Sequence, residues 1–144
     1  MAKNYFTEID KNKIRLAIFY AELHTSGEIR VHVDNWCWGN PVKKAIRIFQ
    51  RLKMYETVDR NGVLIYVSIK HHKLAIIGDI GINEKVPDHF WDDERDLMIG
   101  FFKNQQYTEG LIKGIELVGL ELKTLFPASA ENKNELSNEI SFGE

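Results

Sequence analysis

Cysteine is almost absent: Cys37, inside "NWCWGN", is the one thiol among 144 residues. With no second cysteine and no CxxC pair, a disulfide framework and a thiolate zinc site are both excluded. Cys37 therefore reads as a free thiol, buried or partly exposed. Also missing is any run of the roughly 20 apolar residues that a bilayer-spanning helix needs. The amino terminus, "MAKNYFTEIDKNK", lacks the apolar stretch of an export signal. The chain as given is expected to be cytoplasmic and to have no membrane contact, an envelope location following only if a signal or anchor has been removed. Basic excess is lacking as well, since the formal net charge is −2 and the pI is about 6.2. Phosphate-backbone contacts demand the opposite balance, so nucleic acid is not an expected partner.

Several catalytic signatures are absent too. No G-x-S-x-G supplies a nucleophile elbow, and there is no Walker A motif. "GDIGIN" has the wrong spacing for a dinucleotide fingerprint and follows a strand instead of opening a binding helix. "DIGINE" lacks the spaced oxygen ligands and sixth-position glycine of an EF-hand.

What the chain does have is an apolar share of 44% over a length that suits one core. Residues 1–127 are expected to form a single domain, with 128–144 a polar, flexible tail in which only Leu136, Ile140 and Phe142 could dock. Thr7 and Asp10 match a helix-start signal, Asp10 being equally able to serve as the cap, and Ile14, Ala17, Ile18 and Ala21 make one stripe of the helix over 9–23. "EIRVHVD" alternates strictly, with Ile29, Val31 and Val33 on one face and Arg30, His32 and Asp34 on the other. Asn40-Pro41 opens a second helix with Val42, Ala45, Ile46, Phe49 and Leu52 as its apolar stripe.

After the "DRNG" turn, "VLIYVSI" is apolar throughout, as a strand covered on both faces should be. The helix between the first two strands implies a parallel crossover, whereas "KHHK" is short enough to imply an antiparallel hairpin into "LAIIGDIGI". "NEKV" is a candidate for a short fourth strand. Two helices follow Pro87, one carrying Phe90, Leu97, Met98 and Phe101, the other Leu111, Ile115, Val118, Leu122 and Leu125. In the second, Gly110, Gly114 and Gly119 signal either close approach of a neighbouring element or mere tolerance. The elements sum to an α/β fold, a three-layer α/β/α sandwich with a mixed central sheet.

The order of "TSGEIRV", "RNGVLIYVS", "KLAIIGDIGINEKVPD" and "YTEGLIKGIELVGLEL" resembles the TPM domain, a phosphatase-like family of thylakoid-lumen and bacterial membrane-associated proteins; the similarity covers roughly residues 8 to 127. The resemblance implies a mixed-sheet α/β/α fold, divalent-cation binding in some members and a proposed acid phosphatase activity. Many relatives carry an export signal and a membrane anchor after the domain, and this sequence shows neither.

Residues 78–96 hold seven acidic side chains against two basic ones. Strand polarity brings Glu28, at the start of the first strand, and Asp79, at the end of the third, to the same sheet edge, with Asp88, Asp92 and Asp93 following. Helical phase sets Asp93 at the border of the apolar face and turns Asp92 and Asp96 to solvent. Glu28, Asp79, Asp88 and Asp93 are thus candidate oxygen ligands for calcium or magnesium. The plainer alternatives are acids favoured by a helix start, an Asx turn at Asp79 and an ordinary strand-edge charge at Glu28. A metal-assisted phosphatase would use the same carboxylates, with Arg30 or Arg60 as the only evident phosphate-facing charges. His71 and His72 read as a solvated turn, and His32 and His89 show no partner in the sequence. Trp36 and Trp38, in a loop over the carboxyl end of a parallel strand, would suit a protein partner if exposed; two rings capping the core is the more ordinary reading.

Overall fold

The computed structural model describes residues 5–128 and 136–143. Thr7 is the cap of the first helix, α1 (Glu8–Glu22): its hydroxyl accepts from the Asp10 N–H and the Asp10 carboxylate accepts from the Thr7 N–H, both at 3.0 Å. This reciprocal pair satisfies two otherwise orphaned donors. Ile14 and Ile18 are fully buried, as their spacing requires.

Strand β1 (Glu28–Asp34) is followed by α2 (Pro41–Arg51), where the Asn40 side chain accepts from the N–H groups of Val42 and Lys43 and proline fills the first turn. Strand β2 (Gly62–Ser68) is buried at all seven positions, and β3 (Lys73–Gly78) returns antiparallel beside it. β1 runs parallel to β2 in the register Glu28 to Gly62 through Asp34 to Ser68. The remaining elements are α3 (Ile80–Asn83), α4 (Asp92–Lys103), α5 (Tyr107–Leu125) and β4 (Ser141–Phe142). Strand order is β3-β2-β1-β4.

Period-2 alternation divides the interior. Val63, Ile65 and Val67 face α1, α4 and α5, while Leu64 and Tyr66 face α2. The expected mixed sheet between helical layers is present, with α2 on one face and α1, α4 and α5 on the other, joined there by Ile82 of the short α3. Burying each such aliphatic side chain contributes roughly 1.5–3 kcal/mol relative to exposure, so β2 alone anchors both cores.

The last helix shows close approach, not tolerance, at its glycines. A Cβ at Gly119 would meet Ala21 Cβ at 2.7 Å, and one at Gly114 would overlap the Met98 side chain, so α1 and α4 seat directly on the α5 backbone.

Three expectations are corrected. The third strand does not continue through Ile82: it ends at Gly78, and Asp79 caps α3 by accepting the Ile80 N–H at 2.7 Å. β2 begins at Gly62, so residues beyond Asp79 have no strand to pair with. "NEKV" forms no strand for the same reason. The fourth strand comes instead from the tail, where Ser141 and Phe142 pair with His32 and Val33 parallel to β1. Ile140 is 9% exposed, although its polar neighbours gave no periodic signal. Residues 129–135 and 144, the rest of the expected flexible tail, lie outside the described residues. Finally, Val42 and Ile46 of the α2 stripe are 45% and 49% exposed, because Ala45, Ile48 and Phe49 take the core side of that helix.

Candidate functional site

Glu28 and Asp79 do share one rim of the sheet. Glu28 is opposite Gly62, and the Asp79 N–H donates to the Gly62 carbonyl at 2.9 Å. Two strand spacings, about 10 Å, therefore separate their backbones. Each carboxylate already has protein partners. Arg60 grips Asp79 through two parallel bonds, Nε to Oδ2 at 2.7 Å and Nη2 to Oδ1 at 2.9 Å. Glu28, 2% exposed, accepts the Leu136 N–H at 3.2 Å.

Glu28 also meets Glu22 in a carboxyl pair. Burial pushes Glu22 up to about 8 against the opposing effect of the Ile29 N–H that donates to it, and the Glu28 charge and hydrogen bond add to the rise. At neutral pH Glu22 is thus the protonated partner.

Asp88 and Asp93 are exposed, and neither carboxylate makes a hydrogen bond or ion pair with another described residue. The phase expected for α4 holds in part: Met98 is buried and Phe90 and Phe101 pack against the core, but Phe102 and the capping Trp91 are buried with them, and Leu97 is 41% exposed. Asp93, one turn before Leu97, shares that outward stripe. Asp92 is the partly covered acid, 3.3 Å from both His89 Nδ1 and Arg95 Nη1. Among the described residues no group of three or more His, Cys, Asp or Glu side chains could hold a metal ion. The four candidate ligands are therefore not brought together. Of the candidate phosphate-facing charges, Arg60 is committed to Asp79, and Arg30 is held below its ordinary value by burial.

The other end of the parallel pair carries a more ordered arrangement. His32 and Asp34, two residues apart on one face of β1, lie with Nε2 3.0 Å from Oδ1. His32 Nδ1 is 2.9 Å from the Ser141 hydroxyl, and the Tyr66 hydroxyl donates to Asp34 Oδ2 at 2.8 Å. Burial alone would raise Asp34, but the bonds from His32 and Tyr66 outweigh it and hold the carboxyl below its usual range. Burial and the bond to Asp34 raise the Tyr66 phenol. The alternation of β1 already put His32 beside Asp34. Ser141 carried no comparable signal, because nothing in a polar tail announces a strand.

Above this network the loop 35–40 turns Cys37 inward, 2% exposed, and sends Trp36 and Trp38 outward, 41% and 83% exposed. The reading of two rings capping the core is corrected: the inward position belongs to Cys37. The indoles stack 5.9 Å apart at 15°. His71, expected in a solvated turn, packs edge-on against both rings, at 5.3 Å from Trp36 and 4.5 Å from Trp38. Its Nδ1 lies 2.9 Å from both the N and the O of Cys37, the tautomer deciding which it engages. Lys70 Nζ sits 4.6 Å over the Trp36 ring, and Lys73 Nζ donates to the Cys37 and Gly39 carbonyls at 2.9 and 2.7 Å. The hairpin turn thus braces the tryptophan loop from beneath.

No helix among the described residues is long and apolar enough to cross a membrane. No curated protein matches the chain. Solved structures do. The BA42 protein from the psychrophilic bacterium Bizionia argentinensis is 40% identical, with a TM-score of 0.89 over 96% of this chain and 95% of that one. The N-terminal domain of the cg2496 protein from Corynebacterium glutamicum matches at a TM-score of 0.67 and 12% identity, covering 92% and 83% of the two chains. An N-terminal domain from P. gingivalis matches at 0.62 and 15%, covering 83% and 75%. These two show a common fold only. The TPM domain family itself matches residues 2–120, most of the length described above, and the chain belongs to that family.

Proposed function

We propose that this domain is a protein-interaction module whose contact platform is the Trp36 and Trp38 pair. The observation that carries the reading is Trp38, 83% exposed yet held in a fixed stack by Trp36 and His71. Leaving an indole of roughly 200 Å² in water forgoes on the order of 4 kcal/mol of burial. A partner that covers the ring recovers it. The platform is already ordered by Lys70, His71 and Lys73, so little side-chain entropy opposes binding. Affinity capture with wild type and with Trp38→Ala, both verified as folded by amide spectra, tests the reading. It requires a partner retained by the wild type and at least tenfold weaker with the variant. Equal binding by both would remove it.

A second reading is calcium or magnesium binding through Glu28, Asp79, Asp88 and Asp93. It draws support from the shared rim of Glu28 and Asp79, and it has to overcome the Arg60 clamp and the outward course of Asp93. Saturable amide shifts across residues 78–96 on titration with either cation would support it, and unchanged spectra would dismiss it. Metal-assisted phosphomonoester hydrolysis would use the same carboxylates. It requires turnover of a simple aryl phosphate that disappears in Asp79→Asn.

A further inference from the structure

The sheet has two edges, and the chain treats them differently. On the β1 side an extended segment of the tail, Ser141 and Phe142, pairs with His32 and Val33 and covers the carboxyl-terminal part of the edge. On the β3 side no described strand lies beyond. The register fixes which backbone groups that leaves. Asp79 donates to Gly62, and Asp79 and Gly62 continue the sequence of partners Val63 to Gly78 and Leu64 to Ile77. In an antiparallel ladder, hydrogen-bonded pairs alternate with non-bonded ones. Lys73, Ala75 and Ile77 therefore direct their N–H and C=O groups at β2, and Leu74, Ile76 and Gly78 direct theirs outward. Among the described residues, none of those six outward groups has a partner.

This edge is not a bare rim. Two adjoining hollows, of about 430 and 380 Å³, run along it and share Val42, Ile76, Ile77, Asn83 and Trp91. α2 forms one wall, and the segment from α3 to α4 forms the other. The half-exposed Val42 and Ile46, which the core leaves unused, line this groove, as does Ile80 at 51% exposure. Ile76 is only 8% exposed although it lies in an edge strand.

Depth selects the occupant. A second copy would have to bring its own β3, and that strand is sunk between the same two walls, so two recessed edges cannot reach each other. A single extended peptide can. Val42 and Ile46 on one wall and Val86, Phe90 and Trp91 on the other suit a segment with apolar side chains pointing both ways, with polar groups from Asn83 to Arg95 at the rim of the second wall, and main-chain bonds to Leu74, Ile76 and Gly78 would supply affinity independent of side chain. Charge adds one more requirement. Arg95 is neutralised by Asp92 and Asp96, whereas Asp88, which lines the larger hollow, has no cationic partner among the described residues.

We propose that the open edge of β3 is a docking groove for an extended, apolar strand of a partner protein that carries a lysine or arginine toward Asp88. The groove begins near the tryptophan loop, since Lys73 at the head of β3 holds the Cys37 and Gly39 carbonyls. The inference rests on the unpaired backbone groups, not on the tryptophan platform, and it stands if that reading fails.

A synthetic octapeptide of alternating valine and alanine, flanked by lysines and blocked at both ends, is the probe. Titrated into the isotope-labelled full chain, it is expected to shift the amides of Leu74, Ile76 and Gly78 and to slow their hydrogen exchange at least tenfold. Ala75 and Ile77, already bonded to β2, should change less. The same peptide N-methylated at alternate residues should bind at least tenfold more weakly, and Asp88→Lys should reverse the preference between lysine-flanked and glutamate-flanked peptides. Trp38→Ala should leave the edge response intact, which separates this groove from the platform. Unchanged outward amides at millimolar peptide would overturn the proposal, as would equal binding of the N-methylated peptide. A dimer of the free chain with those three amides already protected would overturn it in favour of a second copy.

Discussion

Asp34 receives two buried hydrogen bonds, from His32 Nε2 at 3.0 Å and from the Tyr66 hydroxyl at 2.8 Å, and these hold its carboxyl ionised inside the sheet. A hydrogen bond to a charged buried group is worth about 1.5–3 kcal/mol. Tyr66→Phe, which keeps the ring and deletes the donor, should therefore lower stability by about that amount in urea unfolding. Asp34 should then titrate at a higher pH, because burial remains and one of the opposing bonds has gone. An unaltered Asp34 titration would mean that the phenol does not sustain the ionised state.

The Glu22 and Glu28 pair makes stability fall as pH rises. Glu22 has its folded value raised to about 8 from an unfolded value of 4.5. Between those values the folded state keeps a proton that the unfolded chain has lost, so unfolding releases a proton and is favoured by higher pH. The group's contribution is fully present below 4.5 and is lost progressively through pH 8. Each unit of displacement corresponds to about 1.4 kcal/mol, so the loss is on the order of a few kcal/mol. Glu22→Gln retains an oxygen for the Ile29 N–H and a donor for Glu28. Its stability should be nearly flat across this window, and the variant should exceed wild type at pH 8. A wild-type curve that stays flat from pH 5 to 8 would contradict the assignment.

The tail should behave as part of the domain. Leu136 donates to Glu28, Ile140 is buried, Phe142 packs beside Phe6, and Gly143 donates to the Val33 carbonyl. Deleting residues 136–144 should cost roughly 3–5 kcal/mol, the sum of one full and two partial apolar side-chain burials. Gly143→Ala is the finer test, because a Cβ there would run into Asp34 Oδ1 and His32 Nε2. Released tail amides with an intact α1 to α5 framework are the expected spectrum. Unchanged stability on deletion would show that β4 contributes nothing.

The contrast between β2 and β4 shows what was legible in the sequence. Seven consecutive β-type residues bounded by turn signals identify β2 from local chemistry alone, and the short "KHHK" link fixes β3 as its antiparallel neighbour. β4 draws its position from a register with β1 more than 100 residues earlier in the chain, and such nonlocal pairing leaves no local trace. The acidic segment lies between these cases. Its rim placement followed correctly from strand polarity, but the phase of α4 was set by Leu97, an exposed leucine that imitates a core residue. Once Trp91, Met98 and Phe102 define the buried face, Asp93 turns outward, and among the described residues no three acids gather to hold a metal ion. The tryptophan loop was ambiguous because its outcome rests on His71 and Lys73, more than 30 residues away in the chain.

Two helical glycines should respond in opposite directions to the same substitution. Gly100 lies exposed in α4, and nothing stands within 4 Å of the place a methyl group would take there. Alanine at this position relieves glycine's entropic cost without a clash, so Gly100→Ala should stabilise by about 0.5–1 kcal/mol. Gly114 offers the same propensity gain, yet its added methyl would overlap the Met98 side chain in the core. Overpacking costs about 1–3 kcal/mol, so a mid-range cost less the propensity gain of about 0.5–1 kcal/mol leaves an expected net loss of about 1 kcal/mol. Met98→Ala combined with Gly114→Ala decides whether the clash is the cause. If it is, the double variant is more stable than the sum of the two single losses, because the second methyl no longer has a neighbour to displace. Strict additivity would instead assign the Gly114 loss to the helix backbone and deny that α4 seats directly on α5.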